Sequence, residues 1–308
     1  MPITEIFVFQ RENRQHGRCV LSGSEEQRMQ NESMNSPAQI LEANIKTEIN
    51  RVNMPLGKMI LLGIFAGMFI AGGAAASSVA MHAIPNVGLS RFLGGVIFPV
   101  GLMMIIFIGG ELFTGDCLLI LGILDKKYKI IDMIRVLVIV FISNLVGALI
   151  IALLVYFSGQ LNYTDGLLGA FTIRVAMGKA TMSFGSAFAS GILCNIFVCG
   201  AVLMAGAAKD VAGKVWAVFF PILAFVVSGY EHCVANMYYI PAGIFAAGNE
   251  KYAQLAMEQY GYTAEQLADL SWKAFFINSS IPVTLGNMVG GMVFVGAILY
   301  YIHKSKQK

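Results

Sequence analysis

The chain has 308 residues, 57% of them hydrophobic and only 13% charged, with 33 glycines and a mean hydropathy of +0.70. That composition excludes a disordered protein and is too apolar for a soluble domain of this length. It suits one integral membrane domain of about six helices at ~20 apolar residues per crossing. The net charge of +3 is too small to mark a nucleic-acid binder, so the basic residues matter by where they sit.

Residues 1–33 are polar, carry Arg11, Arg14, Arg18 and Arg28, and hold no continuous apolar core of the kind a secretory signal needs. Residues 1–35 therefore read as a disordered leader or an extended start, with Met34 as the alternative beginning. Ser36-Pro37-Ala38-Gln39 then opens a helix, with Ser as N-cap, Pro at N1 and Gln closing a capping box. Leu41, Ile45, Ile49 and Val52 repeat on one face, with Glu42, Lys46, Glu48 and Arg51 elsewhere. Residues 36–53 are thus an amphipathic helix, either lying at the membrane surface or packed on the inner face of the membrane domain.

Six spans follow over residues 54–304, at 58–83, 91–124, 131–158, 181–207, 215–248 and 275–302, before a tail at 305–308. The second and fifth are too long for one straight crossing. They also carry polar interruptions, Gly110-Glu111-Leu112-Phe113-Thr114-Gly115-Asp116 and Tyr230-Glu231-His232-Cys233-Val234-Ala235-Asn236. Each is expected to be two half-helices joined by irregular backbone, which a membrane allows only where that backbone lines a cavity or is buried in protein. Ionisable residues at that depth are costly and face a pathway or a partner.

The halves look duplicated. Ser143-Asn144-Leu145-Val146-Gly147-Ala148 in span three answers Gly286-Asn287-Met288-Val289-Gly290-Gly291 in span six, and Gly63 and Gly67 answer Gly191 and Asn195. Three spans per half require the second copy to be inverted. The expected fold class is therefore all-α integral membrane, six transmembrane helices in two inverted three-helix repeats with the second and fifth helices broken. Twelve Lys and Arg fall on one side of the spans and five (Arg91, Arg174, Lys179, Lys251 and Lys273) on the other, which puts both termini in the cytoplasm.

His232 is the one histidine deep in a span, and its imidazole is a donor whose charge responds to pH near neutrality. The competing reading is a histidine that merely hydrogen-bonds to fix the broken helix. Thr114 lies at the other break and can donate to a passing anion or accept from His232. Leu112 and Phe113 beside it could close the pathway if the segment moves on Gly110 and Gly115. Glu111 and Glu231 read as struts for loop N–H groups, since a fixed carboxylate in the path would repel an anion. Asn144, Asn195 and Asn287 are interhelical hydrogen-bonders, with Asn195 and Asn287 also candidates to reach the pore. Half-helix N-termini favour a negative solute, and flanking Phe98, Leu102, Val198 and Phe225 form apolar constrictions that keep it small. The five cysteines have neither metal-site spacing nor the pattern of a disulfide framework, so no metal or cofactor is expected.

At these residues the chain resembles the formate/nitrite transporter family. The segments that carry the resemblance are Gly-Glu-Leu-Phe-Thr-Gly at 110–115, Ser-Asn-Leu-Val-Gly-Ala at 143–148, Gly-Ile-Leu-Cys-Asn-Ile-Phe-Val-Cys at 191–199, Gly-Tyr-Glu-His-Cys-Val-Ala-Asn-Met at 229–237 and Pro-Val-Thr-Leu-Gly-Asn-Met-Val-Gly-Gly at 282–291. The resemblance implies an aquaporin-like fold in a homopentamer, with one anion pore per protomer. It implies that Thr114 belongs to a mobile loop, that His232 is the central pore histidine with Asn287 near it, and that Lys179 is an outward lysine gathering anions. Leu102, Leu112, Phe98, Phe225 and Val198 fall at the family's constrictions. Its substrates are small monovalent anions of weak acids: formate, nitrite and hydrosulfide. Glu rather than Asp at 111, and Gly115-Asp116 after the threonine, depart from the formate branch and lean toward the nitrite and hydrosulfide branches. The expected protein is a channel or transporter in the cytoplasmic membrane, partnered by lipid, its anion and its own copies, with His232 able to supply a proton. The rivals are a channel for small neutral solutes, against which stands the absence of paired Asn-Pro-Ala boxes, and a membrane enzyme using His232 and Cys233, which no nucleophile–base–acid set supports.

Overall fold

Long apolar runs satisfy their backbone in lipid by closing their hydrogen bonds within helices. The computed structural model describes residues 33–304 and is built of such helices. The leader up to residue 32 and the tail at 305–308 lie outside the described residues.

Helix α1 (Pro37–Val52) starts with the expected capping box, in which Gln39 N–H donates to Ser36 Oγ and Ser36 N–H donates to Gln39 Oε1. Ile40, Leu41, Ile45 and Val52 are buried, and so is Glu48. Of the two placements open from sequence, α1 therefore takes the packed one, against the membrane domain.

The six crossings lie close to their expected limits. They are α2 (Leu56–Met81), the bent pair α3 (Val87–Ile97) and α4 (Val100–Ile108), α7 (Ile130–Phe157), α9 (Phe184–Ala207), α10 (Val211–Ser228) and α14 (Trp272–Lys304). Pro99, which lacks an N–H, bends the α3–α4 pair and leaves Phe98 at the elbow. The second crossing breaks after Gly109, restarts as α5 (Phe113–Asp116) and continues through a tight turn into α6 (Ile120–Leu124). The fifth breaks after Gly229 and restarts as α11 (Cys233–Ala247). Helix α14 widens into π-helical turns on both sides of Asn287, over Phe275–Ser280 and Val289–Ala297.

Three helices went unread in the sequence. Helix α8 (Leu167–Ala180) is largely buried, while α12 (Glu250–Tyr260) and α13 (Ala264–Ala268) lie in the connection before the last crossing. All are too short to span, and α8 is apolar without a periodic face, so hydropathy alone merged it into a loop.

The inverted repeat appears in how the helices touch. A Cβ on Gly67 would run into the backbone of Asn144, and one on Gly147 into the backbone of Ile64, so α2 and α7 cross with main chains in contact. In the second half, Gly286 and Gly290 of α14 meet the backbone of Phe188 and Ile192 of α9 in the same way. Small residues allow this approach where lipid offers helices no hydrophobic drive to associate. Substituting Gly147→Val should cost about 1–3 kcal/mol by overpacking the crossing, read as a lower melting temperature of the detergent-solubilised protein, whereas Gly57→Ala, whose Cβ would meet nothing, should melt as wild type.

Candidate functional site

The site is built on two stretches of extended backbone in the middle of the bundle. The first follows Gly109, at φ +108°, and ends at Leu112, the N-cap of α5, at φ −112° and ψ 121°. The second follows Gly229, a left-handed cap at φ +73°, and ends at His232, the N-cap of α11, at φ −110° and ψ 117°. Extended backbone at this depth has no helical partners and must be satisfied from outside.

One asparagine does this in each half, with the same three bonds. Asn144 Oδ1 accepts from Phe113 N–H at 3.0 Å, while its Nδ2 donates to Glu111 C=O at 2.9 Å and Gly63 C=O at 2.8 Å. Asn287 Oδ1 accepts from Cys233 N–H at 2.9 Å, while its Nδ2 donates to Glu231 C=O at 3.0 Å and Gly191 C=O at 2.7 Å. Glu111 thus corresponds to Glu231, and Leu112 to His232.

His232 and Thr114 meet between the halves, with Nε2 and Oγ1 at 2.9 Å. On the other edge of the ring, Nδ1 accepts from Ala235 N–H at 3.0 Å. An acceptor carries no proton, so this bond assigns the neutral ring its proton on Nε2, from which it donates to Thr114 Oγ1. Among the described residues, the threonine hydroxyl hydrogen then has no acceptor. The His232 ring lies nearly parallel to that of Phe225 at 6.1 Å, and Phe225 meets Phe98 edge to face at 5.6 Å. A cavity of about 840 Å³ runs from the surface to His232, lined among others by Phe98, Phe225, Lys179, Arg91 and Arg174, while Thr114 is fully buried and does not line it. Leu102, Leu112 and Val198 are buried without reaching that cavity.

Several expectations change here. Glu111 and Glu231 do not brace backbone N–H groups, because the asparagines take those. Their carboxylates instead hold cations: Glu111 Oε2 lies 2.7 Å from Arg51 Nε, and Glu231 Oε1 lies 2.8 Å from Lys179 Nζ. Lys179 is therefore committed to an ion pair, with its ammonium also over the Tyr239 ring. Asn287 does not present its amide to the pore, since both its hydrogens go to backbone carbonyls. The same holds for Asn195, whose Nδ2 donates to Thr114 C=O at 3.2 Å and Asn287 C=O at 2.7 Å. The half-helix starts are less open than expected, because Phe113, Cys233 and Ala235 all donate to side chains. Phe113 packs its ring on Phe141 of α7 at 5.2 Å. Cys117, Cys194, Cys199 and Cys233 are free and buried.

Arg91 and Arg174 were missed as site residues. Both line the cavity mouth and both are held by neutral partners, Arg91 donating to Val227 C=O at 3.4 Å and Arg174 lying over the Tyr260 ring at 4.9 Å. Their signal was present in the sequence as the first two members of the sparse outer set of cations.

On the opposite side, burial pushes the Glu48 carboxyl up to about 7, a rise that the neighbouring Arg51 charge only partly opposes. The folded protein therefore keeps a proton on Glu48 that the unfolded chain releases above its usual range near 4.5. Folding then binds extra protons between those values, so this contribution to stability is lost as pH rises through the window. Glu48→Gln should flatten that slope and raise the melting temperature at pH 8 by a few degrees, as measured by thermal unfolding in detergent across pH.

Known proteins share both the sequence and the fold. A family model described as formate/nitrite transporter matches residues 38–301. A "Probable formate transporter" of Methanothermobacter thermautotrophicus is 38% identical over 289 residues, covering 88% of this chain and 98% of that one. "Formate channel FocA" of Haemophilus influenzae is 38% identical over 218 residues, covering 71% and 76%. Among solved structures, a "Pentameric formate channel with formate bound" superposes with a TM-score of 0.70 at 33% identity, covering 80% of this chain and 97% of that one. An "FNT family ion channel" superposes at 0.71 with 27% identity, covering 85% and 98%.

Proposed function

The chain belongs to the formate/nitrite transporter family, and on that premise we propose that it is a homopentameric membrane channel for small monovalent anions of weak acids, with formate foremost. The observation that carries the reading is His232 at the foot of a cavity open to one surface, beside Phe98 and Phe225, with the buried Thr114 hydroxyl 2.9 Å behind its Nε2. A shift of the Thr114 segment would bring its hydroxyl hydrogen to a solute that has shed its water between the apolar rings. Formate comes first because similar proteins are named for it. The departures at 111 and 116 lie by Arg51, away from the Thr114 hydroxyl, and so give little support to a lean toward nitrite or hydrosulfide.

Lysine and arginine placement argues for both termini in the cytoplasm of a cell whose cytoplasmic membrane holds the protein, so the cavity opens outward. Arg91 and Arg174, each held by uncharged groups, leave their positive charge to draw anions into that mouth. The Born cost of an ion passing the aromatic pair favours crossing as the neutral acid. His232 serves this as a neutral hydrogen-bond donor through Thr114. Acting as the proton source would first require an imidazolium, whose Nδ1–H would face the Ala235 N–H. The protein performs transport without chemical change, and is not an enzyme.

His232→Asn, which keeps a residue able to cap α11, should slow formate uptake into proteoliposomes at least tenfold while the protein still purifies intact. Uptake at the wild-type rate with an unaltered pH profile would remove the histidine from the pathway. Osmotic swelling with glycerol under the same conditions tests the neutral-solute alternative, and rapid swelling without formate flux would favour it. The double variant Arg91→Gln/Arg174→Gln should raise the half-saturating external formate concentration several-fold, an effect that shrinks at high ionic strength because the charges are exposed.

A further inference from the structure

The two asparagine-clamped breaks match in backbone and differ in charge. In the outward half, Glu231 shares its carboxylate between Lys179 at 2.8 Å and the Asn236 amide at 2.7 Å, and that amide also donates to Ser279 at 2.9 Å. One cation meets one carboxylate. In the inward half, the residue at the position of Asn236, five after the glutamate, is Asp116. The cation is Arg51, reaching in from α1. It lies 2.7 Å from Glu111, 3.5 Å from Asp116 and 2.6 Å from Glu48, so one guanidinium faces three carboxyl groups.

These acids are shut away from water: Glu48 and Asp116 are fully buried and Glu111 is 7% exposed. Among the described residues, neither oxygen of Asp116 has a hydrogen-bond donor, nor has Oε2 of Glu48. The other titratable groups that face the cluster offer none. Tyr128, from the turn after α6, donates to Leu119 C=O at 2.6 Å. Cys117 donates to Phe113 C=O and Cys199 to Thr114 C=O. One guanidinium neutralises one of the three carboxylates, and a buried carboxylate left without donor or cation is costly unless it takes up a proton.

We propose that Glu48, Glu111 and Asp116 form a proton-binding site on the inward side of the pore, and that its occupancy holds the Thr114 segment in place. Asp116 lies two residues beyond Thr114 in the same short helix, α5. With the proton bound, the cluster is quiet and Thr114 stands at His232. With every carboxyl ionised, two uncompensated negative charges push α5 away from α1, and Thr114 is withdrawn. The effect on flux rests on the anion-channel reading, whereas the proton site does not.

The test uses the full-length protein in detergent and in proteoliposomes, comparing wild type with Asp116→Asn, which copies the outward half. For a site titrating near the value of Glu48, occupancy falls from about 90% to about 10% between pH 6 and pH 8. Amide hydrogen exchange over 112–117, corrected for the intrinsic pH dependence, should speed up severalfold across that range in wild type and stay level in Asp116→Asn. In vesicles of one orientation, the ratio of wild-type to variant formate flux should fall severalfold as the inside pH rises, and should not respond to outside pH. Glu48→Gln, on a separate helix, removes one of the three negative charges, should shift the transition to lower pH and decides the matter if Asp116→Asn fails to fold. Identical exchange profiles in wild type and the variants would overturn the proposal. So would a transition that follows exchange of sodium for potassium rather than pH. Protection that tracks pH without any formate flux would leave the proton site standing and remove the channel reading instead.

Discussion

Everything in this protein follows from the need to satisfy two short stretches of extended backbone inside a membrane. Water cannot do it and lipid cannot, so one side-chain amide per half supplies an acceptor and two donors at once. Asn144 and Asn287 make the same three bonds to the same places in their repeats. A glutamine would overshoot and an aspartate lacks the donors. The close glycine crossings of α2 with α7 and α9 with α14 bring each asparagine near enough to reach its break.

The clamp has a chemical consequence. By holding the residue after each glutamate at an N-cap, it aims one side chain per half at the space between them. In the second half this is His232, whose cap bond from Ala235 decides which ring nitrogen keeps the proton. The proton turns toward Thr114, and the chain of donors ends on a hydroxyl hydrogen with no acceptor among the described residues. In the first half the same position holds Leu112, which can exclude water and offers no donor. One backbone device thus produces a polar contact and an apolar seal from two repeats.

The charges behind the breaks follow a second rule. Each glutamate is too deep to stand alone and is neutralised by a cation from outside the repeat core: Lys179 from α8 and Arg51 from α1. Paired in this way, the carboxylates leave little charge uncompensated, and Lys179 has none to spare. The arginines at the cavity mouth have only a carbonyl and an aromatic ring as partners. Where the second half keeps an amide at Asn236, the first half has a third acid, and the balance of charge there depends on protons.

Much of this was legible in the sequence. Spans, breaks and the inverted order of repeats rest on hydropathy and on polar residues placed at membrane depth, and both are local properties of the chain. Thr114 and His232 stood out because a hydroxyl and an imidazole are rare in such surroundings. The partners of the other polar residues were not legible, since Asn195, Asn287, Glu111, Glu231 and Lys179 are bound to residues roughly fifty to a hundred positions away. Composition shows that a buried amide or acid must be satisfied; only the packed helices decide by what. Residue order determined the kind of protein and the two places where its backbone opens, because those depend on burial costs carried residue by residue. Tertiary structure decided which donors remain free for a solute, because that is what is left after every other donor has met its neighbour.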